Sequence, residues 1–275
     1  MSDTGEHGDA TPAGQGGTAG PERAADPPAE RPRSGRRRPF RVELPILLVL
    51  AFLATFVIQT FVVEVYYIPS RSMEQTLHGA TSGGDRVLVN RIVYEFSDPK
   101  PGEVVVFRGP PSWAPEVAAA PGPSTWFATV ARSLGSVVGV APPDEKDFVK
   151  RVIATAGPTV ACCDARGRVT VDGRSLDEPY LYEDWAFVTG TDDCTTAPRS
   201  QRCFGPVTVP ADALWLMGDH RGASGDSALG CRGDQPVTGC RGPVPVDDVI
   251  GHAVLVVAPV SRWGVIGSPD LGSGG

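Results

Sequence analysis

The chain has 275 residues, 33 of them Gly and 27 Pro, and a formal net charge of −7. This acidic balance, with no basic stripe interleaved with aromatic residues, excludes nucleic acid as a partner. All six cysteines follow residue 160, without Cys-x-x-Cys spacing or a histidine nearby, which argues for disulfides in an oxidising compartment rather than a metal site.

The first 30 residues are mostly Gly, Pro, Ala, Thr, Asp and Glu. Such a stretch cannot bury a core, and residues 1–43 are predicted to be a disordered tail. Residues 44–63 form one apolar run, Leu-Pro-Ile-Leu-Leu-Val-Leu-Ala-Phe-Leu-Ala-Thr-Phe-Val-Ile-Gln-Thr-Phe-Val-Val, long enough to cross a bilayer as a helix. Pro45 falls in the first turn of that span, where its missing N–H costs nothing. Arg31, Arg33, Arg36, Arg37, Arg38 and Arg41 precede the run, and no Lys or Arg follows until Arg71. The positive-inside bias predicts a cytoplasmic amino terminus and an extracytoplasmic domain over 64–267 in a single-pass membrane protein. The competing reading is a cleaved export signal, since Arg37-Arg38-Pro39-Phe40 is similar to a twin-arginine signal. The run is longer than a typical signal h-region, and its end offers no small-residue pair for cleavage, which favours an uncleaved anchor.

Beyond Tyr66 the pattern is β-rich. Short runs at 86–94, 103–107, 148–153, 168–173, 207–209, 213–217 and 250–257 stand between Gly and Pro punctuation, as in a β barrel or sandwich. Residues 110–146 read as an insertion. Within it, 126–140 carry a helical stripe of Phe127, Val130, Ala131, Leu134, Val137 and Val138, compatible with a lid, a bilayer-touching helix or a surface helix. The run at 249–257 is too short for a second membrane helix. Residues 268–275 read as a flexible tail. Cys194/Cys203 and Cys231/Cys240 each enclose a short loop suited to a local disulfide, although spacing alone leaves the pairing open.

Ser72 lies nine residues past the apolar run, a reach of at most about 30 Å for extended chain, so whatever it does is done near lipid. Lys150 sits within Phe148-Val149-Lys150-Arg151-Val152-Ile153. On a strand it shares a face with Phe148 and Val152. A lysine among apolar side chains loses hydration, which favours the neutral amine that can take a proton from a serine hydroxyl. The same pattern also fits the wet face of an edge strand.

Four blocks occur in order: Pro69-Ser70-Arg71-Ser72-Met73, Gly84-Asp85-Arg86-Val87-Leu88-Val89, Phe148-Val149-Lys150-Arg151-Val152-Ile153, and Gly218-Asp219-His220-Arg221-Gly222-Ala223-Ser224-Gly225-Asp226-Ser227. Behind an amino-terminal anchor, they make the chain resemble bacterial type I signal peptidases over about 44–263. The resemblance implies a mainly β, antiparallel ectodomain of two lobes behind one transmembrane helix. It also implies a serine endopeptidase with no cofactor, which cuts signal peptides from preproteins after small-x-small sites. Ser72 would be the nucleophile and Lys150 the general base. Ser70 and the Ser72 N–H would hold the oxyanion. Ser224 would hydrogen-bond the lysine amine, Asp226 would brace the last block, Met73 would lie beneath the substrate, and Arg151 would support the strand. Departures stand at His220, where the family has Asn, and at Ala228, where it has an Arg that partners Asp226. Ala154 and Gly157-Pro158 also differ. Arg232 and Arg241 are candidate replacements for the missing Arg. A Ser-His-Asp reading through His220 and Asp219 ranks below the dyad. The alternative function is an impaired paralogue that binds signal segments without cutting. A third class, a disulfide-stapled structural ectodomain, leaves the four blocks unexplained.

Overall fold

A computed structural model describes residues 40–57, 62–80, 82–111, 113 and 147–272. Residues 1–39 of the expected tail, most of the 110–146 insertion and the stripe at 126–140 lie outside the described residues, while 40–43, expected in the tail, are helical. Helix α1 runs over Phe40–Val57, 18 residues, or about 27 Å of rise. It begins ahead of the expected span, so Pro45 stands inside the helix, where it removes one backbone hydrogen bond, and not in the first turn. Residues 58–61 are outside the described set, and Val63 already opens a strand. Among the described residues no helix is long and apolar enough to cross a membrane. Between Leu44 and Phe56 the large apolar side chains of α1 are exposed, Phe52 at 71%.

Twelve strands follow among the described residues, and every pairing between them is antiparallel. They are β1 (Val63–Tyr67), β2 (Arg86–Asn90), β3 (Val104–Arg108), β4 (Asp147–Ala154), β5 (Thr159–Cys162), β6 (Val169–Val171), β7 (Arg174–Ser175), β8 (Phe204–Thr208), β9 (Ala213–Met217), β10 (Val244–Pro245), β11 (Val249–Ala258) and β12 (Gly264–Val265). Eight form one sheet in the order β1-β2-β11-β3-β4-β9-β10, with β12 added on β11. Four form a smaller sheet in the order β7-β6-β5-β8. The two sheets correspond to the two expected lobes.

Strand alternation explains where the cores lie. Strand β3 is central, and both of its faces are apolar. Val104 and Val106 pack with Met73, Leu77 and Ile68, whereas Val105 and Phe107 pack with Phe148, Val152 and Leu216. A third cluster joins the two sheets, where Ile153 and Trp215 of the large sheet meet Val160, Val169 and Phe204 of the small one. Phe204 stacks on Trp215 with ring centroids 5.7 Å apart. The hairpin between β6 and β7 turns at Asp172-Gly173, both with positive φ (50° and 75°). A two-residue hairpin of matching twist demands this conformation, and Asp-Gly supplies it at low cost. Leu271, in the stretch expected to be a flexible tail, is instead 3% exposed and packed in the third cluster.

Candidate active site

Strand β1 delivers the chain to Pro69, and residues 70–77 fold into tight turns, closed by Glu74 N–H to Arg71 O at 3.1 Å and Leu77 N–H to Met73 O at 2.8 Å. Residues 78–85 press back on this segment. A Cβ at Gly79 would lie 1.6 Å from the Ser70 carbonyl oxygen, so no larger residue fits there. The Asp85 carboxylate, fully buried, accepts from His78 N–H at 2.8 Å and pairs with Arg262 Nε at 2.8 Å. The Gly84-Asp85 block therefore shapes the loop behind the serine, while its remaining residues form β2.

Strand β4 brings Lys150 to the same place. Phe148 and Val152 are buried on the face expected for Lys150, and Nζ lies 5.9 Å from the Phe148 ring centroid. Lys150 has 0% exposure and Ser72 2%. Lys150 Nζ donates to Ser72 Oγ at 2.8 Å and to Val149 O at 3.1 Å. Ser70 Oγ is 3.1 Å from Ser72 Oγ. Met73 is buried in the core under this turn. Lys150 of the third block thus meets Ser70, Ser72 and Met73 of the first in one place.

The 218–227 segment packs against Ser72 through its backbone. His220 N–H donates to Ser72 O at 3.1 Å. A Cβ at Gly218 would fall 2.4 Å from Ser72 O and 2.3 Å from Ser224 Oγ, so this glycine permits the approach. The expected bond from Ser224 to the lysine is not formed. Ser224 Oγ sits over Gly218, buried and without a hydrogen-bond partner among the described residues. Asp226 is bonded on several sides. It accepts from Gly218 N–H at 3.3 Å and Ala228 N–H at 3.1 Å, and it pairs with Arg232 at 3.3 Å. Of the two candidate replacements for the missing Arg, Arg232 reaches Asp226. Arg241 instead bonds Gly225 O at 3.0 Å and lies over the Trp113 ring.

Asp219 and His220 do not form a triad with either serine. Asp219 is fully buried in a two-pronged pair with Arg151, at 2.9 and 2.6 Å, and accepts from Thr76 Oγ1 at 2.5 Å. The His220 ring lies between Glu74, with Nδ1 at 3.3 Å, and Glu183, with Nε2 at 3.2 Å. Arg151 also stacks on Tyr180 at 4.0 Å. Burial, reinforced by the neighbouring Glu178 carboxylate, pushes the Tyr180 phenol well above its usual range, so it stays a neutral donor to Glu178. Sequence reasoning missed Thr76, Tyr180 and Glu178 as supports of the last block. Glu178 pairs with Arg221, yet nothing in Glu178-Pro179-Tyr180 as sequence signals a contact to Arg221 or Arg151.

The six cysteines are all bridged: Cys162–Cys163, Cys194–Cys203 and Cys231–Cys240. The two short-loop pairs agree with expectation, and the bond between adjacent residues is an addition to it.

Comparison with known proteins points one way. The profile described as signal peptidase, peptidase S26 matches residues 41–258. The probable signal peptidase I of Mycobacterium leprae (strain TN) is 45% identical over 240 residues, covering 84% of this chain and 81% of that protein. The signal peptidase I of Mycobacterium tuberculosis (strain CDC 1551 / Oshkosh) is 45% identical over 243 residues, covering 87% and 79%. A probable signal peptidase I-1 of Synechocystis sp. (strain ATCC 27184 / PCC 6803 / Kazusa) is 32% identical over 225 residues, covering 82% and 86%.

Proposed function

The chain belongs to the signal peptidase family, peptidase S26, and from that membership we propose that it is a serine endopeptidase that removes signal peptides from preproteins, with Ser72 as nucleophile and Lys150 as its base. The observation that carries the residue assignment is the buried 2.8 Å contact between Lys150 Nζ and Ser72 Oγ. With a neutral amine, Nζ takes the hydroxyl proton as Oγ attacks the scissile carbonyl. The amine leaving group takes that proton as the peptide bond breaks, which leaves an ester on Ser72. A water then gives a proton to Nζ and attacks the ester, and the carboxylate product departs as Oγ recovers its proton. We assign Ser70 Oγ, 3.1 Å from the nucleophile, and the Ser72 N–H as donors to the developing oxyanion; loss of one such donor typically costs about 10²–10³ in rate. Ser224 sits behind Ser72 on Gly218 and acts by packing, while Asp226 holds the segment in place.

The substrate reading follows from the family: preprotein segments with small residues at the first and third positions before the cut. We read α1 and the apolar residues after it as a membrane anchor, with the arginine-rich side cytoplasmic and the β domain outside. The outward apolar side chains of α1 support this, as do exposed Val260, Trp263 and Val265, which Arg262 ties through Asp85 to the nucleophile turn. Lipid is thus the second partner.

Purified full-length protein should cleave a peptide with a small-x-small site, and Ser72→Ala and Lys150→Met should each abolish cleavage. Equal turnover by wild type and Ser72→Ala would reject the dyad. No cleavage by wild type in lipid would favour the binding-only paralogue. Alkaline extraction should leave the chain in the membrane pellet, whereas quantitative release would rule out the anchor.

A further inference from the structure

Four of the bridged sulfurs lie together in the smaller lobe. Cys162 ends β5 and is bonded to Cys163, the next residue. Cys194–Cys203 closes the loop that precedes β8. The Sγ atoms of Cys163, Cys194 and Cys203 all lie within 4.8 Å of one another. Thiol–disulfide exchange needs sulfur within reach of sulfur, and this spacing sets Cys163 beside both sulfurs of the second bridge. Exposure divides the four. Cys163 and Cys194 are half-buried, while Cys162 and Cys203 are buried, Cys162 against Val160, Val169 and Phe204.

From this juxtaposition we propose that the four cysteines form a thiol–disulfide exchange site, with small external thiols as its co-reactant and Cys163 as its pivot. An external thiolate attacks the accessible Cys163 Sγ. The Cys162–Cys163 bond breaks, and Cys162 leaves as a thiolate that picks up a proton. A second external thiol attacks the mixed disulfide and departs with the first as their own disulfide, freeing the Cys163 thiolate. That thiolate attacks Cys194 Sγ, a Cys163–Cys194 bond forms, and Cys203 leaves to be protonated. Two electrons have entered, donated by the two external thiols, and one protein disulfide has been reduced. The other has only changed partner. The product keeps its new bridge at the two half-buried positions and places its two thiols at the two buried ones, where they are shielded from reoxidation. Cys231–Cys240 takes no part.

The test uses the full-length protein in detergent with reduced glutathione as the thiol. Free thiols are trapped with N-ethylmaleimide, and bridges are mapped by proteolysis and mass spectrometry. The species carrying two labels should have them on Cys162 and Cys203, with Cys163 joined to Cys194 and Cys231–Cys240 intact. Labels on Cys162 and Cys163 with Cys194–Cys203 retained would overturn the proposal, as would labels on Cys194 and Cys203 with Cys162–Cys163 retained. The variant Cys162→Ala supplies the Cys163 thiol without any reductant. It should show a Cys163–Cys194 bridge and a labelled Cys203 as purified, and a label confined to Cys163 would overturn the exchange step. Neither readout uses peptide cleavage, so a failure here is separate from a failure of the peptidase reading.

Discussion

Asp226 shows how a charge partner can move along the chain. Where the family resemblance places Arg, this protein has Ala228, buried among apolar neighbours, and the guanidinium comes from Arg232 four residues later. Both groups of the new pair are buried, so removing one strands the other without water. Arg232→Ala should therefore destabilise the domain by about 3 kcal/mol, at the low end for a broken buried pair because two backbone N–H groups still serve Asp226. Arg241→Ala, which loses a carbonyl bond and a ring contact, should cost about 1 kcal/mol. Urea denaturation of the two variants compares them directly, and a larger loss for Arg241→Ala would reassign the brace. Ser72 and Lys150 were legible at this scale because their block order is specific and strand alternation placed Lys150 among apolar side chains. The role of His220 was not. It acts on Ser72 through its main-chain N–H, which every residue except proline carries, so side-chain identity holds no signal for it.

The turn between β5 and β6 is closed by two backbone bonds, Asp164 N–H to Arg168 O and Gly167 N–H to Asp164 O, each at 3.0 Å, and by the Asp164 side chain. Asp164 accepts from the N–H groups of Arg166 and Arg168, each at 2.8 Å, from Arg168 Nε at 2.8 Å and from Ser175 Oγ at 2.6 Å. Desolvation, the largest single influence, pushes its carboxyl upward, but these hydrogen bonds together outweigh it and hold the group at about 2. The folded value is thus below the unfolded one of 3.8, so the stabilisation is complete above about pH 4 and is lost as pH falls to about 2. Hydrogen exchange in β5–β7 should lose protection across that window, and Asp164→Asn should flatten the acid dependence. Asp193, held at about 2 by Gly190 and Thr195, keeps some slope in that variant. An unchanged acid profile in Asp164→Asn would show that the turn does not depend on its charge. Strands β2, β3, β4, β6, β9 and β11 were legible because each lies in a β-branched or apolar run, whereas β5 was not read and β8 only from Val207, because Gly205-Pro206 interrupts it. Strands β7, β10 and β12, with two residues each, carry too little pattern to read. Strand β1 was hidden for another reason: its Val63-Glu64-Val65-Tyr66-Tyr67 continues an apolar run whose length alone suggested helix.

Across the whole domain, the order of strands in the large sheet could not be read, since β11 enters between β2 and β3 from far along the sequence. The same long-range closure assembles the site from segments near 72, 150 and 220, and one buried residue connects them. Arg151, next to Lys150 on β4, holds Asp219 with two bonds, donates to Gly102 O at 2.6 Å and to Gly267 O at 2.9 Å, and shares Asp219 with Thr76 of the nucleophile turn. Arg151→Met leaves Asp219 buried without its cation and should cost about 3–5 kcal/mol, with a parallel loss of peptide cleavage as the three segments loosen. Asp219→Asn should destabilise the otherwise wild-type protein for the converse reason. Placed on Arg151→Met, however, the same change removes the stranded charge and keeps an oxygen for Thr76 Oγ1, so there it should stabilise. The opposite sign in the two backgrounds identifies the pair as the coupled unit, and denaturation of the four proteins of this cycle measures it. Effects that add to within about 0.5 kcal/mol would mean that Arg151 holds the site through Gly102, Gly267 and Tyr180 rather than through Asp219.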